Sequence, residues 1–503
     1  MKHEKLSKAL EYIDDRHIAE AVNHKRKRFP WVAAVAAVLA LCIVAGALLR
    51  PGTPGQTLQD PIRGNTLQTI SPSDAVEPHP TVHPVAPVEL LSNRYAVATA
   101  QYPQLCSYPL KSNAQDAFSK WWDDQRALHN QPEGYADSLD ALWAQLLPQL
   151  LKDTQGSNAA YSPVNVYLAL AMLAECTDGE SRQQLLDLMN ADSIYALRTQ
   201  AKQVWRAHYN NDGLTKSILG SSLWLEKDYG FDPDTVQLLA DNYYASVFQG
   251  DLGTPEMDKA LQSWLNEQTE GLLGEYVKDV KMDASTVLAL ATTVNYQVQW
   301  MDEFSQKANV QGIFHGAKGD TAETFMRTSL TYGPYCWSDH FGATALELED
   351  GSRMWLILPD EGYSPEDIVG EAITFLAQRT MDSPNQKSII VNLSVPKFDV
   401  ASDAELSDTL KKLGVTDVFT PGTADFSAVL PKNDGGYINQ VKHAARVLID
   451  EQGVTAAAFT TIMRAGGAMP PTDEIDFTLD RPFLFVVESR DGLPLFAGIV
   501  NEP

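Results

Sequence analysis

The segment from Glu451 to Pro471, EQGVTAAAFTTIMRAGGAMPP, constrains the fold more than any other stretch of this chain. Its alanine run favours a helix, whereas the threonines and Ile462 that follow favour a strand. Gly453 supplies a flexible pivot at the start, and the double proline prevents a helix from continuing beyond the end. We therefore expect either an exposed loop or a strand, in a segment able to change structure. A surface loop with incidental alanines is the simpler alternative.

Charge excludes some partners. The chain has 503 residues and a net charge of −26. Its first fifty residues carry a net +4 and the remainder −30. Such an acidic body repels nucleic acid and anionic membranes. It also has no basic cluster for a heparin-like polyanion. We therefore expect neither a nucleic acid nor such a polyanion as a partner.

The N-terminal region predicts a membrane anchor. Residues 1–30 are polar and end in a basic cluster, and residues 31–49 are an uncharged run long enough to span a bilayer. The basic cluster predicts a cytoplasmic N-terminus, so a single-pass protein of the cell membrane with its globular part outside is expected. The alternative is a cleaved signal peptide and secretion, although the charged leader is unusually long for one. A lipid on Cys42 is disfavoured by the bulky Leu41 before it.

Composition predicts a stalk and then one globular domain. Residues 50–89 are rich in Pro, Thr and Ser and predict a disordered stalk. Globular composition begins at about residue 90, and residues 90–503 form the predicted domain. The domain has three cysteines, Cys106, Cys176 and Cys336. They make no disulfide framework, so buried thiols are expected, with a single bridge as the alternative.

Helix and strand patterns alternate through this domain. Ser162 and Pro163 form an N-cap and a first-turn proline, which predict a helix start. Asp258–Glu270 has a helical pattern, and Thr286–Trp300 is apolar and β-branched, as in a long buried strand.

Motifs for catalysis or metal binding are absent from the sequence. It contains no HExxH, paired CxxC, GxxxxGK or GxSxG. Its histidines do not cluster with cysteines at metal-ligand spacing. We therefore predict no enzyme activity, no metal and no cofactor. A surface hydrolase that uses unrecognised residues is the remaining enzyme hypothesis.

Several tracts together resemble the serpin family. They are HAARVLIDEQG at 443–453, DFTLDRPFLFVVESRDGLPLFAGIVNEP at 476–503, YSPVNVYLALAMLAECTDGESRQQLLDLM at 161–189, LKKLGVTDVFTPGTADFSA at 410–428 and VPKF at 395–398. The resemblance covers residues 138–503 and leaves 90–137 as an extension of unclear role. It implies an α+β serpin fold with a large mixed β-sheet, further sheets, about eight or nine helices and an exposed reactive loop. With the N-terminal transmembrane helix, it suggests a membrane-tethered, bacterial-type member.

The resemblance also implies a mechanism. Serpins are mostly suicide inhibitors of serine proteases, and some inhibit cysteine proteases. The protease cleaves the bait loop, the loop inserts into the large sheet as a new strand, and the acyl-enzyme is trapped. The implied partner is a target protease at the cell surface, and the implied state is a monomer. A non-inhibitory serpin that acts as a binding or structural module is the alternative.

Hinge residues decide between these two functions. By resemblance, Glu451 and Gly453 begin the hinge and Val454 is the first inserted residue. The residues that would then face inward are small or β-branched: Val454, Ala456, Ala458 and Thr460. Those facing outward are Thr455, Ala457 and Phe459. Because the inward set contains neither charge nor proline, it favours the inhibitory function.

The family's loop length places the reactive bond at Gly467–Ala468, with Ala468–Met469 as the alternative. Small residues at the bond suggest an elastase-like or subtilisin-like target. Arg464 leaves a trypsin-like target open, although cleavage there would give a short inserting segment.

Six further positions correspond to the family's sheet-opening region. His443 matches a histidine beneath the sheet, and Ser162 matches its hydroxyl partner. Thr292 and Asn165 stand where the family often has Asn and Ser. Lys397 matches the ion-pair partner of Glu451, and Trp300 matches a tryptophan packed at the top of the sheet.

Overall fold

A computed structural model describes residues 91–109, 115–152, 154–378, 383–432, 436–438, 441–454 and 471–503. The predicted anchor and stalk, and residues 455–470 of the predicted loop, lie outside these ranges. The helices in the described part are α1 Gln115–His129, α2 Asp137–Leu150, α3 Pro163–Cys176, α4 Gly179–Leu188, α5 Ile194–His208, α6 Pro233–Tyr243, α7 Pro255–Gln268, α8 Gly274–Val277, α9 Pro365–Gln378 and α10 Ser407–Lys412.

Two sheets account for the strands in the same ranges. The strands are β1 Ala96–Ala98, β2 Ala159–Tyr161, β3 Asn210–Asn211, β4 Lys216–Glu226, β5 Ala245–Gly250, β6 Leu288–Gln299, β7 Val310–Gly316, β8 Gly319–Trp337, β9 Phe341–Glu347, β10 Arg353–Pro359, β11 Gln386–Pro396, β12 Phe398–Glu405, β13 Lys442–Ile449, β14 Gly453–Val454, β15 Glu474–Thr478, β16 Phe483–Glu488 and β17 Pro494–Val500.

The central sheet has the order β1-β5-β4-β6-β14-β13-β12, and β3 pairs with β4. It is mixed, because β4 and β5 are parallel while β4 and β6 are antiparallel. The second sheet has the order β15-β11-β8-β9-β10-β16-β17-β2, and β7 pairs with β8. The large mixed sheet expected from the sequence is therefore confirmed.

Helix α3 lies in the core between elements of both sheets. Ser162 caps it as predicted, with its hydroxyl accepting from the Asn165 amide at 3.4 Å, and Pro163 occupies the first turn. Every residue from Pro163 to Cys176 is buried. A helix that is apolar on all sides can be stable in water only when it is enclosed in this way.

The extension of unclear role packs against the rest of the domain. Strand β1 adds to the edge of the central sheet, with Ala96 opposite Phe248. The Tyr102 ring lies 5.6 Å from the Trp205 ring of α5. In α1, the Trp121 indole nitrogen donates to Asp212 at 2.9 Å. Residues 91–109 and 115–129 thus cover one edge of the sheet and the end of α5.

Two expectations from composition can be compared with the structure. Among the described residues, no disulfide links Cys106, Cys176 and Cys336, and the last two are buried. Within the described residues, no helix is long and apolar enough to cross a membrane. The predicted anchor at residues 31–49 lies outside them and stays a prediction.

Candidate functional site

Strand β14 marks the site, because it lies between β6 and β13. Gly453 pairs with Gln299, and Val454 pairs with Val298 on one side and Ile449 on the other. Val454 is 2% exposed, and it is the residue that the resemblance makes the first inserted one. The backbone of β6 approaches Gly453 too closely for a side chain, since a Cβ at this position would lie 2.2 Å from the Val298 carbonyl oxygen.

A cavity separates β6 from β13 farther along the same two strands. Its volume is about 60 Å³. Val294 of β6 and Ala445 of β13 line its sides, Ser162 and Phe496 line the face toward α3 and β17, and Leu272 and Leu273 line the face toward α7. The cavity therefore lies along the path that a continuation of β14 would follow.

His443 lies on β13 of the central sheet and is fully buried. Its Nε2 accepts a hydrogen bond from the backbone amide of Ser162 at 3.0 Å, and its ring stacks on Tyr161 at 6.0 Å. The resemblance implied the Ser162 hydroxyl as the partner; here that hydroxyl caps α3 instead. Burial lowers the pKa of His443 to about 4. The ring is therefore neutral at pH 7, and in the described residues its Nδ1 has no hydrogen-bond partner.

Asn165 and Thr292 connect α3 directly to β6. The Asn165 side-chain amide donates to the Thr292 carbonyl oxygen at 3.3 Å. Both residues are buried, at 3% exposure each. By the resemblance, the family often has Asn at the Thr292 position of the strand. Here the side-chain amide belongs to Asn165 of α3 instead, and it donates to the backbone of β6.

The top of the sheet carries a charged cluster around Glu451. Lys397 Nζ lies 2.7 Å from the Glu451 carboxylate, and the Asn309 amide donates to the same oxygen at 2.5 Å. Burial opposes ionisation of Glu451, but Lys397 and Asn309 outweigh it and hold the pKa of Glu451 below its usual range. Glu451 is thus an anion held at the start of the hinge.

Trp300 holds the turn that leads into β14. It is 1% exposed, and its indole nitrogen donates to the Asp450 carbonyl oxygen at 2.8 Å. Its backbone amide donates to the Gln452 carbonyl oxygen, also at 2.8 Å. These bonds fix the direction in which the hinge leaves β13.

The structure brings together Glu451, Gly453, Val454, Trp300 and Lys397 at one end of the cavity, and Ser162, Thr292 and His443 beside it. The remaining hinge residues Ala456, Ala457, Ala458 and Thr460, and both candidate bonds among Gly467, Ala468 and Met469, lie outside the described residues.

Sequence reasoning missed two participants, Asn309 and Arg446. Arg446 on β13 donates to the Leu272 carbonyl oxygen at 2.7 Å. No local pattern marks either residue, because each acts through a partner far away in the sequence.

This arrangement, a mixed sheet with a short strand entering between two long ones, defines the serpin class of fold. The family model described as serpin (serine protease inhibitor) matches residues 137–503, and the chain belongs to that family. Among relatives, it is 30% identical over 372 residues to serpin-Z12 of Oryza sativa subsp. japonica, covering 69% of this chain and 86% of the relative.

Solved structures agree on the fold. The thermophilic serpin tengpin in the native state matches with a TM-score of 0.62 and 23% identity, covering 82% of this chain and 99% of tengpin. The native stressed conformation of Arabidopsis AtSerpin1 matches with a TM-score of 0.63 and 24% identity, covering 74% of this chain and 100% of AtSerpin1. Serpins are generally protease inhibitors, as the description of the family model says.

Proposed function

We propose that this serpin inhibits serine-type proteases by the suicide-substrate mechanism, in which the loop is cleaved and then inserted into the central sheet. The observation that supports this most is strand β14. Gly453 and Val454 pair with β6, and Val454 also pairs with β13, so the first position of an inserted strand is occupied.

The physical basis is strand addition. A strand that continues from Val454 between β6 and β13 gains backbone hydrogen bonds on both sides. Alternate side chains then point into the core beneath the sheet. Continued from Val454, the inward positions are Ala456, Ala458 and Thr460, whose small side chains suit a cavity of about 60 Å³.

We propose an elastase-like or subtilisin-like target. The residue before the cut is Gly467 or, for the alternative bond, Ala468, and neither has a large or charged side chain. A protease with a small primary pocket accepts such residues, since discrimination rests on the fit of that side chain.

We propose a bacterial-type protein tethered to the cell membrane, with the inhibitor domain extracellular and monomeric. Support comes from the uncharged run at 31–49, the preceding basic cluster and the Pro-rich residues 50–89. Such a protein would protect the cell surface from foreign proteases. Membrane fractionation of the full chain, followed by treatment of intact cells with an external protease, tests both the anchor and its orientation.

Inhibition is tested with purified protein, an elastase and a subtilisin. We expect a covalent complex on a denaturing gel and a released C-terminal peptide that begins at Ala468 or Met469. Ala458→Glu, which puts a charge on the inward face, should yield cleavage without complex. Ala457→Glu is the matched control, because the same charge on the outward face should leave complex formation intact.

Cleavage of the wild type without a complex and without a gain in thermal stability would contradict inhibition. The chain would then act as a non-inhibitory serpin, that is, as a binding or structural module.

A further inference from the structure

Four aromatic side chains lie together at and just before the start of helix α1. They are Tyr108, Phe118, Trp121 and Trp122, and we call them the aromatic ledge. The Phe118 and Trp122 rings are nearly parallel, with an interplanar angle of 11° and centroids 6.4 Å apart. Trp121 lies beside both, at 5.4 Å from each, and Tyr108 packs edge-on against Trp121 at 5.0 Å. The four rings therefore form one continuous apolar surface.

The aromatic ledge is fixed on its inner side and open on its outer side. The Trp121 indole nitrogen donates to Asp212 at 2.9 Å, and the Tyr108 backbone amide donates to the Asp212 carbonyl oxygen at 2.8 Å. Phe118 and Trp122, in contrast, are 46% and 43% exposed. Apolar residues that are scattered singly over a surface need no explanation, whereas a contiguous exposed group marks an interaction site.

Trp122 adds a hydrogen-bond donor to this surface. Its ring contacts are with Phe118 and Trp121, and in the described part of the chain nothing accepts a hydrogen bond from its indole nitrogen. Flat rings beside an unpaired N–H suit a polyproline II segment, because its prolines pack on rings and its backbone carbonyl groups have no internal partner. The local charge suits an uncharged ligand, since residues 91–136 contain four Lys and Arg and four Asp and Glu.

The chain itself supplies a proline-rich segment before residue 91. Residues 50–89 contain eight prolines. From Leu91 the chain reaches Tyr108 through a five-residue 3₁₀ helix and 13 further positions, a path of at most about 57 Å. As polyproline II, at about 3.1 Å per residue, residues 72–80 lie about 34–59 Å along the chain from Leu91. This segment is therefore long enough to return to the aromatic ledge.

We propose that residues 72–80, PSDAVEPHP, bind to the aromatic ledge of the same chain. The prolines pack on the Phe118 and Trp122 rings, and a backbone carbonyl group of the segment accepts from the Trp122 indole nitrogen. Binding within one chain benefits from the high effective concentration that a short tether gives. The contact does not depend on protease inhibition.

This contact has one consequence for the predicted stalk, and that consequence rests on the proposed membrane anchor. With residues 72–80 held on the domain, residues 50–71 alone separate the domain from the membrane. As polyproline II they span about 68 Å, whereas all of residues 50–89 span about 124 Å. The aromatic ledge would therefore set how far the inhibitor stands from the cell surface.

Photo-crosslinking in the full chain, purified in detergent, tests the contact. Val76→p-benzoylphenylalanine places the crosslinker within the segment, and mass spectrometry identifies the crosslinked peptides after irradiation. We expect crosslinks to residues 115–126, which carry most of the aromatic ledge. Trp122→Ala should lower their yield roughly fivefold, because an aromatic contact and a hydrogen bond are lost. Trp122→Phe should lower it less, because the ring remains and only the N–H is lost.

Tyr332→Ala is the matched control. Tyr332 is also a half-exposed aromatic residue, at 49% exposure, but it lies on β8 of the second sheet. Its removal should leave the crosslink yield at the wild-type value. The pair Pro78→Ala and Pro80→Ala should lower the yield as much as Trp122→Ala does. If Trp122→Ala does not fold, this pair still decides the question, because both prolines precede the domain.

An absence of crosslinks to residues 115–126, or equal yields in the wild type and in the proline pair, would overturn the proposal. A mixture of isotope-labelled and unlabelled chains identifies which copy supplies the segment. Crosslinks that join labelled to unlabelled peptides would mean that a second copy occupies the aromatic ledge, and this result would also overturn the proposal. Because the assay contains neither a protease nor a membrane, its outcome is independent of inhibition and of anchoring.

Discussion

Acid should weaken this fold through His443. Burial lowers the pKa of His443 from 6.5 to about 4. As the pH falls below about 6.5, the unfolded chain binds a proton at this ring and the folded chain does not. The stabilisation is therefore complete above that pH and is lost progressively down to about pH 4. Between about pH 7.5 and 5, the two pKa values give a loss of about 2 kcal/mol.

Urea unfolding at both pH values, followed by tryptophan fluorescence, measures this loss. His443→Gln cannot titrate, so its stability should fall by about 2 kcal/mol less than that of the wild type over the same interval. His208→Gln is a second test of the same argument, because burial also lowers the pKa of His208, at the end of α5, to about 4, so a similar reduction in pH dependence is expected. Identical pH dependence in the wild type and in His443→Gln would refute the argument.

Three further changes follow from the structure. Glu451→Gln should destabilise the fold by about 1–3 kcal/mol in urea unfolding, because Lys397 loses its anionic partner. An unchanged urea midpoint would contradict a stabilising role for this ion pair. Gly453→Ala should displace β14, since the added Cβ would clash with the Val298 carbonyl oxygen. Limited proteolysis should then cut the hinge faster than in the wild type, and an unchanged rate of cutting would contradict the clash. A chain that starts at Asp137 should aggregate, because it lacks the edge strand β1 and the contact of Tyr102 with Trp205. A product that is monomeric on gel filtration and as stable as the full domain would contradict a structural role for residues 91–129.

Local patterns predicted the elements that depend on local physics. The apolar, β-branched run at Thr286–Trp300 contains β6, observed at Leu288–Gln299, because a strand buried on both faces needs such a run. Ser162 and Pro163 began α3 as predicted. These features depend on neighbouring residues, so sequence alone suffices.

Long-range contacts could not be predicted in the same way. The role of residues 91–129 was not predicted, because their partners Trp205 and Asp212 lie some way along the chain. The same reason hides Arg446, whose bond to Leu272 spans 174 positions. Such pairs are decided by tertiary packing and leave no periodic pattern in the sequence.

Formation of a covalent complex with an elastase or a subtilisin tests the central claim most directly. The account predicts an SDS-stable band for the wild type and for Ala457→Glu, and cleavage alone for Ala458→Glu. Cleavage of all three without a complex would contradict the claim that the loop of this serpin inserts after β14 and traps its protease.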